Sequence, residues 1–338
     1  MNRALDDIER QIADIEVELA RLDAERDRLI EKLLELRAEK AARFEEHGIK
    51  RRSAGKRSKG APTLFEVRET SPGYPMQTPP EKARGRNATD DSPARDKINL
   101  FMHLFAGRED IYARRFESRK TGKSGYAPVC RNEWVEGVCK KPKIPCRTCA
   151  HRAFEPVTPL VIRNHLLGRD PDDASRRDFT MGVYPMRLDE TCRFLAVDFD
   201  KSTWRDDATA FIETCRRYIV PAALERSRSG NGGHVWIFFS EPVPAALARR
   251  MGSYILTRTM ERRPEIGMES YDRFFPSQDT LPDGGFGNLI ALPLQRKPRS
   301  AGNSVFIDAD FKPHPDQWAF LSSIKQMSLR DVEAIVVE

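Results

Sequence analysis

The segment Arg193-Phe194-Leu195-Ala196-Val197-Asp198-Phe199-Asp200 constrains the fold of this chain more than any other. Its apolar run has the length and near-continuity of a strand covered on both faces. A strand alternates its side chains with period two, so Asp198 and Asp200 emerge on the same face. Two like charges at the end of a buried strand are costly unless something positive sits between them. A divalent cation supplies that charge, and hard carboxylate oxygens select Mg²⁺ or Mn²⁺. The ordinary reading of Asp-x-Asp, a pair on a solvated face, fits poorly with the apolar residues that lead into it.

A second segment, Ser229-Gly230-Asn231-Gly232-Gly233-His234-Val235-Trp236, runs from a Gly-rich turn through a histidine into another apolar strand. Such a turn lets backbone N–H groups and the histidine approach phosphate oxygens. Taken alone it reads equally well as a glycine hairpin. Beside an acidic metal-binding pair it points to phosphoryl or nucleotidyl transfer. Ser229, Gly230, Gly232 and His234 are then the phosphate-side candidates, with Arg228 and Arg296 as available cations. Two-metal chemistry needs a third carboxylate from a later strand. Asp272, following Tyr271, is the first choice and Glu269 the second.

The rest of the chain bounds the setting. Charged residues make up 32% and the net charge is +6, a balance that fits an anionic partner. No apolar run approaches the roughly 18 residues of a membrane span, and no signal-peptide core is present, so a cytoplasmic location is expected. In that compartment the 6 cysteines are thiols or metal ligands rather than disulfides. Leu5, Ile8, Ile12, Ile15, Leu19, Leu22, Leu29, Leu33 and Leu36 follow alternating steps of three and four, with Arg26 in the same seam. That spacing predicts a coiled-coil helix over residues 1–45, paired with a second copy or with another protein, the alternative being a lone amphipathic helix folded onto its own domain. Residues 46–93 are basic and rich in Pro, Gly, Ser and Thr, and read as a flexible linker.

Residues 94–154 are expected to form a helical and four-cysteine region. Cys130, Cys139, Cys146 and Cys149 suit a structural Zn²⁺, with Cys146-Arg147-Thr148-Cys149 the better half-site and His151 a substitute ligand. Buried free thiols are the simpler alternative, and that is how Cys192 and Cys215 read. Thr121-Gly122-Lys123-Ser124 lacks the earlier glycine and the leading strand of a phosphate-binding P-loop. Tyr112-Ala113-Arg114-Arg115-Phe116 mixes aromatics with arginines, which suits base stacking or an inward-packed helix. Residues 155–338 alternate helical and strand patterns in an order that fits α+β.

Asp198-Phe199-Asp200, the Ser229–His234 loop and Tyr271-Asp272, in that order, resemble the motifs of the archaeo-eukaryotic primase superfamily. One branch is closer, the primases of TOTE conflict systems and the related CRISPR-associated primase-polymerases. That likeness rests on Leu104–Ala113, the four-cysteine insert, Phe274–Asp279, Gly287–Gln295 and Asp316-Gln317-Trp318. It covers the chain from about residue 97 to 325. The resemblance implies an RRM-like catalytic core with a zinc-bearing insert. It implies synthesis or extension of short strands from NTPs or dNTPs on a single-stranded DNA template or primer-template. Asp198, Asp200 and Asp272 would bind catalytic Mg²⁺ or Mn²⁺, and His234 would contact the nucleotide phosphates. The N-terminal helix would recruit a second copy, a helicase or an effector. A two-metal nuclease and a non-catalytic nucleic-acid-binding adaptor are the alternatives.

Overall fold

The apolar run that ends in Asp198 pairs with Gly233–Pro244 in the longest strand ladder among the described residues. The computed structural model describes residues 21, 32, 88–118, 121–170, 178–200, 202–263, 274–281 and 284–337. The chain divides into two units, Met1–Thr78 and Pro79–Glu338. Of the first, Arg21 and Lys32 are described, each helical and exposed. The heptad seam and residues 46–87 of the linker lie outside the described residues.

In chain order the elements of the second unit begin with α1 (Ala94–Leu104), β1 (Ala113–Glu117), β2 (Ser124–Pro128), α2 (Pro159–Leu167) and β3 (Met181–Val183). Then come β4 (Thr191–Phe199), α3 (Trp204–Arg217), β5 (Ala223–Arg226), β6 (Gly233–Pro244), α4 (Ala245–Met260) and β7 (Phe274–Phe275). The chain closes with β8 (Ile290–Ala291), α5 (Arg296–Arg299), β9 (Val305–Phe306), α6 (Gln317–Ser323) and α7 (Leu329–Val337). The result is a mixed α/β fold with two sheets, ordered β2-β1-β3-β8 and β7-β4-β6-β5-β9. Among the described residues the pairings between these strands are antiparallel, and a lone parallel bridge joins Phe239 of β6 to Met327. The run β4-α3-β5-β6-α4-β7 interleaves its strands as a split β-α-β unit.

Both faces of β4 are covered, as its composition requires. On one face Phe194 lies 5.1 Å from Trp236, and Phe105 of α1 meets Trp236 edge-on at 5.0 Å. On the other face α4 lies so close that a Cβ on Gly252 would come 2.6 Å from Leu195. Helix α3 buries Trp204, Ala208, Phe211 and Cys215, steps of four, three and four that make one apolar stripe. Cys192 and Cys215 are both buried.

Two expectations are refined by the fold. Ile111–Phe116 is not a helix, because Ala113–Glu117 pairs with Ser124–Pro128 as a hairpin. Thr121-Gly122-Lys123-Ser124 supplies its turn, with Gly122 at φ 66°. The end of the stretch read as linker is anchored to the core. Ala88 is buried, and Asp90 N donates to Asp316 Oδ2 at 2.9 Å. The reason is local: Thr89-Asp90-Asp91-Ser92 is a turn leading into α1, closed by Ser92 N on Thr89 O at 3.0 Å and Thr89 N on Ser92 Oγ at 2.9 Å. Among the described residues no helix is long and apolar enough to cross a membrane.

Candidate active site

Asp198, next to last in β4, is opposite His234 of β6. His234 is in turn opposite Glu225 of β5. Directly opposed residues of antiparallel strands share a face. Asp198, His234 and Glu225 therefore form one row across three strands, near the end of β4 and the start of β6. The imidazole is flanked by carboxylates on both sides. Its Nδ1 lies 2.9 Å from Glu225 Oε2, and its Nε2 lies 3.6 Å from Asp198 Oδ1. Glu225 is 1% exposed, and the same Oε2 accepts the indole N–H of Trp236 at 2.9 Å. Burial lowers the basicity of His234. The Glu225 charge and hydrogen bond, with help from Asp198, more than offset that and raise its pKa above the ordinary value. An imidazole held between two carboxylates is fixed in orientation at the strand end, with its ring nitrogens as the polar groups there.

Glu225 was not legible in the sequence. A glutamate inside Ala223-Leu224-Glu225-Arg226 reads as the solvent-facing residue of a short strand, and nothing local marks it as buried.

Asp200 lies one residue beyond β4 and is exposed. Asp198 and Asp200 thus bring hard oxygen donors to the strand end, the donor chemistry of Mg²⁺ or Mn²⁺, as part of a ligand set. Asp272 and Glu269 fall outside the described residues. The nearest described neighbour of Asp272 is Phe274, which pairs with Val197 of β4. Among the described residues no three His, Cys, Asp or Glu side chains are grouped to hold a metal.

The Gly-rich motif closes the β5–β6 hairpin. Ser227 N donates to Gly232 O at 2.9 Å, and Gly230 N to Ser227 O at 3.0 Å. Gly230 has φ 81°, a conformation that L side chains seldom adopt. Gly232 is required for a different reason. A Cβ there would come 2.8 Å from Phe199 O and 3.2 Å from the Asp200 Cα. The missing side chain lets the hairpin lie directly on the end of β4, which brings the two motifs together. Ser229 is exposed at the loop tip, and its Oγ accepts from Asn231 N at 3.2 Å.

The two cations differ. Arg228 is half-buried and already engaged with the first sheet. Its guanidinium donates to Gln295 Oε1, to Thr180 Oγ1 at 3.3 Å and to Asp178 Oδ2 at 3.4 Å. Gln295 is 2% exposed and is oriented by its own bond to Leu292 O at 2.9 Å. Arg296 is exposed at the start of α5.

Between β2 and α2, Cys130, Cys139, Cys146, Cys149 and His151 line one cavity. Cys146–Thr148 forms a 3₁₀ turn that carries Cys149 back toward Cys146. Ala153 N donates to Cys130 Sγ at 3.3 Å, and Asn132 Nδ2 to His151 O at 2.7 Å, tying the Cys130 segment to the residues that follow Cys149. The insert docks on the core through Phe154, which meets Phe286 edge-on at 5.2 Å.

The sequence matches the family described as "TOTE conflict system, Archaeo-Eukaryotic Primase domain" over residues 96–335. No curated protein gives a match. Among solved structures, the chain is similar to "Polymerase Domain from Mycobacterium tuberculosis Ligase D in complex with DNA" at 13% identity, over 72% of this chain and 88% of that one, with a TM-score of 0.34. A likeness that faint carries no argument here. The family match covers well over half the chain and contains the Asp198–His234–Glu225 row, so the chain belongs to the TOTE conflict system archaeo-eukaryotic primase family.

Proposed function

We propose that this protein is a template-directed nucleotidyltransferase, a primase-polymerase that makes or extends short strands from NTPs or dNTPs. The single observation that carries the reading is the row Asp198–His234–Glu225, with Asp200 at its edge, inside a primase-family domain. Asp198 and Asp200, with Asp272 as the third carboxylate, would hold Mg²⁺ or Mn²⁺. Bound there, the ions would lower the pKa of the primer-end hydroxyl and offset charge on the pyrophosphate leaving group.

The chain's own residues then do the positioning. His234, held by Glu225, presents its Nε2 edge to a nucleotide phosphate. Gly232 lets the loop approach Asp200 so that phosphates and acids meet. Arg228, tied to the first sheet, adds positive charge at the loop. Template pairing would set sequence, leaving the protein to bind backbone and shape. Cys130, Cys139, Cys146 and Cys149 would hold a structural Zn²⁺ that stiffens the insert, and residues 1–45 would recruit a second copy, a helicase or an effector.

The test is incorporation of labelled NTPs or dNTPs on single-stranded and primed DNA, in Mg²⁺ and in Mn²⁺. Asp198→Ala and His234→Ala run beside the parent. Metal-dependent product lost in both variants is the expected result. Degradation of template without added nucleotide would replace this reading with a nuclease. DNA binding without turnover, unchanged by Asp198→Ala, would replace it with an adaptor.

A further inference from the structure

A second row of side chains lies on the first sheet, beside the loop that leads to His234. Tyr126 of β2 is opposite Arg115 of β1, and Arg115 N donates to Thr180 O at 2.8 Å just before β3. Tyr126, Arg115 and Thr180 therefore share one face. Thr180 Oγ1 is one of the groups that hold the Arg228 guanidinium. The row thus abuts the motif loop from across the two sheets.

Packing explains the ring of Tyr126 but not its hydroxyl. The ring lies against the small apolar cluster of Ile111, Ala113 and Tyr184. The hydroxyl is buried and, among the described residues, has no hydrogen-bond partner. A buried O–H left unpaired costs its full desolvation, and folded proteins seldom leave one so without a use. Burial foremost, and the nearby Glu225 and Asp178 carboxylates, hold the phenol at about 12 against the pull of Arg228 and Arg115. It remains a proton donor at neutral pH, within the electrostatic reach of Arg228 and Arg115. Arg115 itself has a weak commitment, an ion pair at 3.6 Å with a largely exposed Glu117.

We propose that the Tyr126 hydroxyl, with Arg115 and Arg228, forms a phosphate-binding subsite for the incoming nucleoside triphosphate. The inference rests on the nucleotidyl-transfer reading above. A phosphate oxygen is an anionic acceptor, which satisfies an orphan O–H and planar guanidinium forks at once. A ligand that only packed against the ring would leave the hydroxyl unpaired.

The experiment is calorimetric titration of the full-length protein with inorganic tripolyphosphate, ATP and dATP in Mg²⁺, beside primer extension by the parent. Tyr126→Phe should weaken all three ligands about tenfold. Its thermal midpoint should stay level or rise, because an unpaired buried group is removed. A purely structural tyrosine would move none of the three affinities. Arg115→Gln is the second variant and should weaken the same three ligands. Unchanged affinity of Tyr126→Phe for all three overturns the subsite. A loss confined to ATP also overturns it, by moving the hydroxyl to the ribose 2′-OH. A parent that binds nucleotides yet never extends a primer refutes the nucleotidyl-transfer reading itself. A parent that extends primers while Tyr126→Phe binds normally refutes the subsite alone.

Discussion

Replacing Glu225 should cost more stability than any other single change at the site. Its carboxylate accepts from His234 Nδ1 and from Trp236 Nε1, each at 2.9 Å, and Ser304 Oγ reaches its other oxygen at 3.5 Å. Glu225 is 1% exposed and Trp236 is fully buried, so water cannot replace the lost acceptor. A hydrogen bond to a charged group contributes about 1.5–3 kcal/mol, and stranding one partner of a buried charged pair costs about 3–5 kcal/mol. Glu225→Ala leaves the indole N–H and the imidazole N–H both without an acceptor, so the expected loss is roughly 3–5 kcal/mol. At about 2–4 °C per kcal/mol for a domain of this size, the melting midpoint should fall by roughly 10 °C. Glu225→Gln keeps one oxygen for Trp236, and its amide N–H can serve a histidine that has moved its proton to Nε2. Its loss should be about 1–2 kcal/mol. Urea unfolding followed by tryptophan fluorescence reads both values. An alanine variant within about 0.5 kcal/mol of the parent would show that the row is not the packed, hydrogen-bonded unit described here.

Other outcomes follow from the same coordinates. His165 is fully buried, with Nδ1 accepting from Met181 N at 3.1 Å and Nε2 on Pro293 O at 2.8 Å, and burial pushes its pKa down to about 4 from 6.5. The unfolded chain therefore binds the extra proton first, so stability is complete above 6.5 and falls as pH drops toward 4, by roughly 3 kcal/mol in full. A pH series of unfolding midpoints should show that slope in the parent and a shallower one in His165→Phe; equal slopes would remove His165 as its source. Gly232→Ala puts a methyl 2.8 Å from Phe199 O, so the hairpin must lift from Asp200. Extension activity should fall at least tenfold while stability drops by about 1–3 kcal/mol; full activity would mean the contact between motifs is dispensable. Purified protein should carry one zinc per chain by elemental analysis, lost in a Cys146→Ser, Cys149→Ser double variant. Zinc absent from the parent, prepared without chelator, would leave the cavity as a cluster of free thiols.

Much of the site was readable because its signals are local. The apolar run into Asp198, the glycines before His234 and the Ala245–Met260 helix all show in residue spacing, and the structure places them as β4, the β5–β6 hairpin and α4. The β1–β2 hairpin was harder. Arg114-Arg115-Phe116 alternates too briefly to separate strand from helix, and only pairing with Ser124–Pro128 decides the matter. The anchoring of Ala88 was also hidden, since its polar neighbours are those of any linker.

Sequence alone marked the candidate residues, because period-two alternation and glycine's freedom act within a few residues of each other. It put Asp198 on a strand and His234 after a tight turn without any distant contact, while Asp200, expected on the same strand, lies one residue past its end. What tertiary structure alone decided is who supports them. Thr180, Asp178 and Gln295 are 48, 50 and 67 residues from the Arg228 they hold, Tyr126 comes from the other sheet, and Glu225, nine residues before His234, meets it only through hairpin register. Their placement depends on strand register and on how two sheets meet, and no local pattern of side chains encodes either.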